Sequence, residues 1–450
     1  MHMPGVSGWN SVRDDSWFDT MLSTLRSRVS LSNLTGLIGA LLALFMLIAL
    51  PDPWNIRLPL YLLVLVLCIL RPRVALYLMP FAVPWGSLDA ITLAGLNLNS
   101  ADVLVAFLAA GWLLSYSLYP TRMQAIPGPR DHTRLYVPRF LTLAIVGLLC
   151  VMILSTIGAI SVSASLKEIS KWAEFLVLIL IGSQYICTRR QLWTIIVLVC
   201  LAGITQAFYG YVQYFFNLGP EAFIRDASLR VYGTFGQPNP FAGYINIPLS
   251  ITIALLLLGR DWITRTLAGL ATALLLGAEL LTKSRGGEIA LAAALLFIVI
   301  VGMPRLRPIA SLGVIALLGV TVFFLTGWLP SSVLQPVQNL LGLNQISFTN
   351  PSAADYSTAE RLAHWIAGVH MFIDHPFLGV GIGNYPNAYP QYYITIFVNS
   401  LGHAHDYYIN IAAETGFIGL IAFLLFLMAI FVAGGDAYQI INQKYRQAKA

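Results

Sequence analysis

The chain has 450 residues, 58% of them hydrophobic and only 10% charged, with a mean hydropathy of +0.75. Soluble domains carry roughly 25% charged residues, so a water-soluble globular protein is excluded. The net charge of +6 is a matter of membrane topology, not of a nucleic-acid partner. The four cysteines (Cys68, Cys150, Cys187 and Cys200) lie in or beside apolar runs and read as small hydrophobes. They show neither a disulfide framework nor zinc spacing.

Residues 1–34 are polar, carry Arg13, Arg26 and Arg28, and read as a cytoplasmic segment with a short interfacial helix over 17–25. The first strong apolar run begins near Leu37. No clear small-residue cleavage site follows it, so it reads as a retained span. Apolar blocks follow at 35–50, 57–70, 73–85, 101–118, 139–158, 171–187, 191–216, 240–258, 266–282, 287–302, 308–328 and 409–433. This predicts an all-α polytopic membrane protein of about twelve transmembrane helices. Eleven lie in a core over 35–329, a long outer segment covers 330–408, the last helix covers 409–433 and a cytoplasmic tail covers 434–450. The 73–85 block is the weakest because Pro80 and Pro84 interrupt it.

With both termini inside, 18 of the 26 lysines and arginines fall on the inner side. The outer-side exceptions need reasons, and Arg285 is the sharpest. It stands in Thr282-Lys283-Ser284-Arg285-Gly286-Gly287-Glu288, between two apolar blocks with almost no loop. It could snorkel, or pair with Glu279 or Glu288, or bind an anion through its fork of donors. A second exception is Arg230, followed by Tyr232-Gly233-Thr234-Phe235-Gly236-Gln237-Pro238-Asn239-Pro240. Asn239-Pro240 marks a turn into a helix, which leaves the arginine unexplained.

The long outer segment holds a third. Ser357 to Glu360 has capping-box spacing, and Leu362, Trp365, Ile366, Val369, Phe372 and Ile373 then fall on one helical face. Arg361, His364, Gly368 and His375 fall on the other, which predicts an amphipathic helix along the membrane surface. Asp374-His375-Pro376 stops it. The glycines at 379, 381 and 383 form a flexible or tightly turned loop, with none of the context of a nucleotide-binding loop. Five of the seven histidines lie in this segment. His403 and His405 precede the last helix without the further ligands a metal site needs. Beside Asp406 they are better candidates for a general base.

These residues carry a resemblance. Arg230 to Asn239, the Ser284-Arg285-Gly286 turn, the Arg361…Trp365…His375-Pro376…Gly379-Val380-Gly381 run, and His403-Ala404-His405 before Ala412-Ala413-Glu414-Thr415-Gly416 come in this order. Together they resemble the O-antigen ligase and polymerase superfamily of bacterial membrane glycosyltransferases. The resemblance implies transfer of a glycan from undecaprenyl pyrophosphate to an acceptor hydroxyl, on a lipid, a growing glycan or a protein. The reaction would lie at the outer face of the cytoplasmic membrane, with neither metal nor other cofactor and no nucleic acid. It implies that Arg230 and Arg285 bind the pyrophosphate, with Arg361 as a third ligand or an acceptor contact. It implies His405 as the base, with His403 the next choice. Asp406 stands where the family usually has asparagine, and a carboxylate there would raise the basicity of His405 and orient its ring. Gln237, Asn239, Lys283 and Ser284 are further polar contacts to substrate.

Two other classes compete. An anion transporter of the bicarbonate type should show paired broken helices in two related halves, and no internal symmetry is visible. A cell-wall glycan polymerase of the shape-and-division class would need an essential outer-loop acid, for which Asp374 is a weak stand-in.

Overall fold

The computed structural model describes residues 54–88, 91–93, 96–118, 137–186, 188–225, 227–259, 261–325, 347–351 and 356–447. The protein is an all-α polytopic membrane protein. Of the twelve expected apolar blocks, the one at 35–50 lies outside the described residues, as does the interfacial helix over 17–25. Each of the other blocks coincides with a helix. Among the described residues, seven helices are long and apolar enough to cross a membrane.

The chain forms two compact units. The smaller contains α1 (Trp54–Leu70), α2 (Arg73–Trp85) and α3 (Ser100–Leu118). Pro80 and Pro84 are accommodated inside α2, whose Ala75, Leu78 and Ala82 are buried. The larger unit begins with a small hairpin, β1 (Ile91–Leu93) paired antiparallel with β2 (Leu96–Leu98). It continues with α4 (Arg139–Ser155), α5 (Val162–Tyr185), α6 (Arg189–Phe215), α7 (Pro238–Leu258), α8 (Trp262–Leu281), α9 (Arg285–Gly302) and α10 (Arg307–Leu325). A second hairpin, β3 (Ile224–Arg225) with β4 (Ser228–Leu229), lies between α6 and α7. Then come α11 (Tyr356–Asp374), the single turn α12 (Tyr385–Ala388) and the long α13 (Tyr407–Gln447).

Local chemistry sets the helix starts. Ser161, Thr188, Asp261 and Ser284 each accept a hydrogen bond from a first-turn backbone N–H, and Thr188 completes a capping box with Gln191. Helix α5 begins earlier than its apolar block predicts, so Lys167 and Lys171 lie within it, the latter paired with Glu168 at 2.7 Å. The outer surfaces stay apolar: Leu143, Phe208, Ile289 and Ile309 are 68–71% exposed. Lipid, not water, is the solvent these faces suit.

Two cores organise the larger unit. One packs Phe241, Ile245 and Leu249 of α7 against Ala207 of α6, Leu275 and Ala278 of α8 and Leu291 of α9. The other packs Ile145, Leu148 and Met152 of α4 against Phe423 and Phe426 of α13, with Trp172 edge-on to both phenylalanines.

Helix α13 is two helices meeting at Gly416 (φ 68°, ψ −165°). The segment after α11 crosses this break backbone on backbone. Phe417 N–H donates to Pro376 C=O at 2.7 Å, and Val380 N–H donates to Ala413 C=O at 3.0 Å. A Cβ at Gly379 (φ +67°) would lie 2.3 Å from the Glu414 carbonyl carbon, and one at Gly416 would lie 2.3 Å from that of Phe377. The other two glycines of the run also have positive φ and close neighbours, Ala159 for Gly381 and the Ala164 carbonyl for Gly383. The run is therefore tightly docked. Gly416→Ala should lower stability by roughly 2–4 kcal/mol, from the left-handed backbone and the clash together. Gly402→Ala, also at positive φ but with open space around it, should lose only about 1–2 kcal/mol. Melting of the two variants in detergent checks this; equal melting temperatures would remove the crossing from the account.

Candidate active site

The first wall of the site is the loop from Arg230 into α7. Gln213 of α6 shapes it. Its Oε1 accepts from Tyr232 N–H at 3.2 Å and Gly233 N–H at 2.9 Å, and its Nε2 donates to Gly233 C=O at 2.8 Å. The loop is stitched to the turn before α9. Arg230 Nε donates to Thr282 C=O at 2.8 Å, and Val231 N–H donates to Leu281 C=O at 3.2 Å. Asn239 Oδ1 accepts from both Arg230 Nη2 at 3.2 Å and Ser284 Oγ at 2.9 Å. The N-termini of α7 and α9 are thereby joined through one asparagine, with Arg230 between them. Helix N-termini favour anions.

Arg285 is the first residue of α9 and is exposed. The ion pairs weighed for it do not form: among the described residues neither Glu279 nor Glu288 bridges it. Glu279 is fully buried on the other side of Gly287, where a Cβ would meet its Oε1. Lys283 Nζ donates to Arg225 C=O. Ser284 is taken up by its cap and by Asn239. Gln237 is exposed at the N-cap of α7.

The second wall is α11. It begins at Tyr356, so Ser357 lies inside its first turn. Ala359, Ala363, His364, Ala367, Gly368 and Met371 form its buried face, while Trp365, Val369 and Ile373 are exposed. The small residues allow close approach to α13, with Gly368 against Ile409. Arg361 comes near both walls. Burial first, then the charges of Arg225 and Arg361, holds the Arg230 guanidinium below its ordinary pKa. Cations from three elements thus crowd one place. No carboxylate lies within ion-pair distance of Arg230, Arg285 or Arg361 among the described residues.

His405 completes the site. Its backbone is left-handed (φ +58°), an uncommon state for a residue with a side chain. Its ring stands 4.4 Å from His403 and 5.2 Å from His364, centroid to centroid and edge-on to each. Its Nε2 is buried without a partner. His403 is exposed, and its Nδ1 accepts from His405 N–H at 3.3 Å. Asp406 differs from expectation. Its Oδ1 accepts from Ile409 N–H at 2.9 Å, as a cap of α13. The His405 pKa is lowered, not raised, to about 4, by burial and then by the charges of His403, His364 and Arg361.

Sequence reasoning passed over His364, Tyr385, Tyr389 and Asn384. His364 is fully buried, stacked on Tyr389 at 4.5 Å and held near pH 4 by burial and then by His403. Buried Tyr389 donates to Phe397 C=O at 2.7 Å, and its phenol is pushed up to about 12. Asn384 ties the glycine run to α5, accepting from Ser161 N–H at 2.7 Å and donating to Ser165 Oγ at 2.9 Å. A histidine on the polar stripe of α11 was the one available signal. Which stripe faces the protein was not legible: Trp365, Val369 and Ile373 of the apolar stripe are exposed, while His364 and Gly368 of the polar one are buried.

Both imidazoles fold in their neutral form, with pKa values about 4 against an ordinary 6.5. A lowered histidine pKa gives stability that is complete above about pH 6.5 and lost as pH falls toward 4. The melting temperature should therefore be flat above that point and fall below it. The fall should be shallower in His364→Gln.

A multi-pass membrane protein in which Arg361 acts on both Arg230 and an uncharged, strained histidine is suited to handling a polyanion beside a proton-transfer group. Residues 270–424 match the family model described as O-Antigen ligase. The matched stretch runs from within α8 into α13, and over it the chain is similar to that family. No curated protein matches the chain.

Proposed function

We propose that the protein transfers a glycan from undecaprenyl pyrophosphate to an acceptor hydroxyl. The observation that carries this is Arg361, whose charge reaches both the Arg230 guanidinium and the His405 ring. Like charges repel unless an anion joins them, and arginine forks match phosphate oxygens. Arg230 and Arg285, with the positive ends of α7 and α9, hold the pyrophosphate and stabilise the charge that grows as it leaves. His405 removes the proton of the acceptor hydroxyl as its oxygen bonds to the anomeric carbon. The electron pair of the broken glycosyl–phosphate bond departs with the pyrophosphate.

The depressed proton affinity of His405 fits this order of events. Arg361 is one of the charges that depress it. Bound pyrophosphate offsets that charge and returns basicity to the ring. The base is thus weak until the donor is seated. In this reading residues 330–408 lie outside the cytoplasmic membrane, between a helical core over 35–329 and the last span over 409–433. The 1–34 and 434–450 segments are cytoplasmic. Trp365, Val369 and Ile373 of α11 rest on the lipid surface, and Gln237 and Arg361 meet substrate at the rim.

Undecaprenyl pyrophosphate should raise the melting temperature of the purified protein, and undecaprenol, which lacks the anion, should not. Equal shifts from both would show a lipid site without a pyrophosphate site.

A further inference from the structure

His364 is not needed to explain donor binding, yet it is the most completely enclosed titratable ring near the base. Its hydrogen bonds fix its tautomer. The Tyr385 hydroxyl has one proton, and it donates to His364 C=O at 2.9 Å. The same oxygen lies 3.1 Å from His364 Nδ1, so Nδ1 carries the hydrogen and donates to it. Nε2 is then a bare lone pair. It is buried, and no hydrogen-bond partner reaches it. Tyr385 cannot drift, because its N–H is held by Glu414 Oε1 at 2.9 Å. Tyr389 clamps the ring face at 4.5 Å and 19°.

The neighbouring ring has the complementary deficiency. His405 Nε2 is also buried and unpartnered, and the two rings meet edge-on, centroids 5.2 Å apart at 74°. Buried polar atoms in native proteins have partners, and no carboxylate offers one here. Asp406 caps α13 through Oδ1, and Glu414 holds Tyr385.

We propose that His364 is the positioning partner of His405: a small rotation of the His405 ring brings its unpartnered Nε2–H onto the fixed Nε2 lone pair of His364 and turns the other nitrogen, Nδ1, toward the acceptor hydroxyl. This rests on His405 acting as the base. The arrangement does with a neutral imidazole what a carboxylate does in an acid–base–nucleophile triad: it selects the tautomer and orients the ring. When Nδ1 of His405 takes the hydroxyl proton, the Nε2–H becomes a charge-assisted donor and its bond to His364 strengthens. A neutral partner suits this place, since a buried carboxylate would compete with the pyrophosphate for Arg361. The charged and titratable groups around His364 are Glu360 and Arg361 on its own helix, Tyr385 and Tyr389 from α12 and the turn after it, and His403 and His405 from the loop before α13.

The test has two arms on full-length protein in micelles. The first is ¹⁵N NMR of histidine-labelled protein at pH 7, with His364→Gln and His405→Asn assigning the signals. His364 should show a protonated Nδ1 and an unprotonated Nε2, and the His405 signal should move in His364→Gln. A protonated Nε2 on His364, or a His405 signal indifferent to that change, overturns the proposal. This arm needs no turnover, so it stands apart from the proposed reaction.

The second arm measures transfer from undecaprenyl-pyrophosphate-linked oligosaccharide in wild-type protein, His364→Phe and His364→Gln. Phenylalanine keeps the stacking and removes the lone pair. It should cut kcat about tenfold to a hundredfold, with the donor KM within about twofold. Glutamine should recover part of the loss. It should also move the acid limb of the rate profile to lower pH, because an amide oxygen accepts less strongly than an imidazole lone pair and stabilises the His405 imidazolium less. A wild-type kcat in His364→Phe overturns the proposal. If that variant does not fold, an unchanged kcat and acid limb in His364→Gln does so.

Discussion

Replacing His405 with asparagine should lower the rate of glycan transfer by about 10²–10⁴-fold, the usual range for losing a positioned general base. Asparagine is the informative substitution because it tolerates the left-handed backbone that His405 adopts (φ +58°). His405→Ala would remove the ring and strain the loop together. The rest of the scaffold does not depend on this ring: Ala404 N–H is held by Asn410 Oδ1 at 3.0 Å, and Asp406 caps α13. The variant should therefore melt near the wild-type temperature and still bind undecaprenyl pyrophosphate. Binding without turnover is the signature to look for. Transfer within a few fold of wild type would move the base elsewhere, with His403 the first candidate since its ring is 4.4 Å away.

Arg230→Ala should reduce kcat/KM by about 10²–10³-fold and raise the donor KM, as loss of a donor aimed at developing charge does. Lysine should rescue little. The guanidinium uses Nε on Thr282 C=O and Nη2 on Asn239. An ammonium has no fork with which to keep both and still face an anion. The Arg230 charge is not among those that lower the His405 pKa, so the effect on the acid limb should be small. Arg285→Ala differs in kind. Its side chain is exposed on the first turn of α9, so donor affinity should fall with no loss of stability. Steady-state kinetics with donor and acceptor varied separately distinguishes the two arginines.

Much of this was readable before the structure because lipid imposes simple rules. Long apolar runs must be helices, since no other backbone arrangement short of a closed barrel satisfies its polar groups in hydrocarbon. The blocks from 57–70 to 409–433 obeyed that rule. The turn at Ser284 and the loop from Arg230 stood out for the same reason: a charge at such a boundary needs an explanation. What the pattern did not reveal depends on tertiary contact. Asp406 beside His405 suggested a carboxylate acting on a ring, but its Oδ1 accepts from Ile409 N–H in the first turn of a helix. Lys283 and Ser284 also serve the fold, one donating to Arg225 C=O and the other joining α9 to α7. The glycines at 379, 381, 383 and 416 gave composition without purpose. Their purpose is a crossing of two backbones, and only the partner strand of chain reveals it. His364 was invisible as a functional residue because a lone histidine on a helix is ordinary until its neighbours fix its tautomer.

The central claim is that one cleft joins a pyrophosphate site to a neutral histidine base. The most direct measurement is release of undecaprenyl pyrophosphate from an undecaprenyl-pyrophosphate-linked oligosaccharide by purified protein in lipid vesicles, with candidate acceptors added one at a time. The account predicts release coupled to glycosylation of one acceptor, abolished by His405→Asn and by Arg230→Ala. Coupled release that persists undiminished in both variants would contradict it.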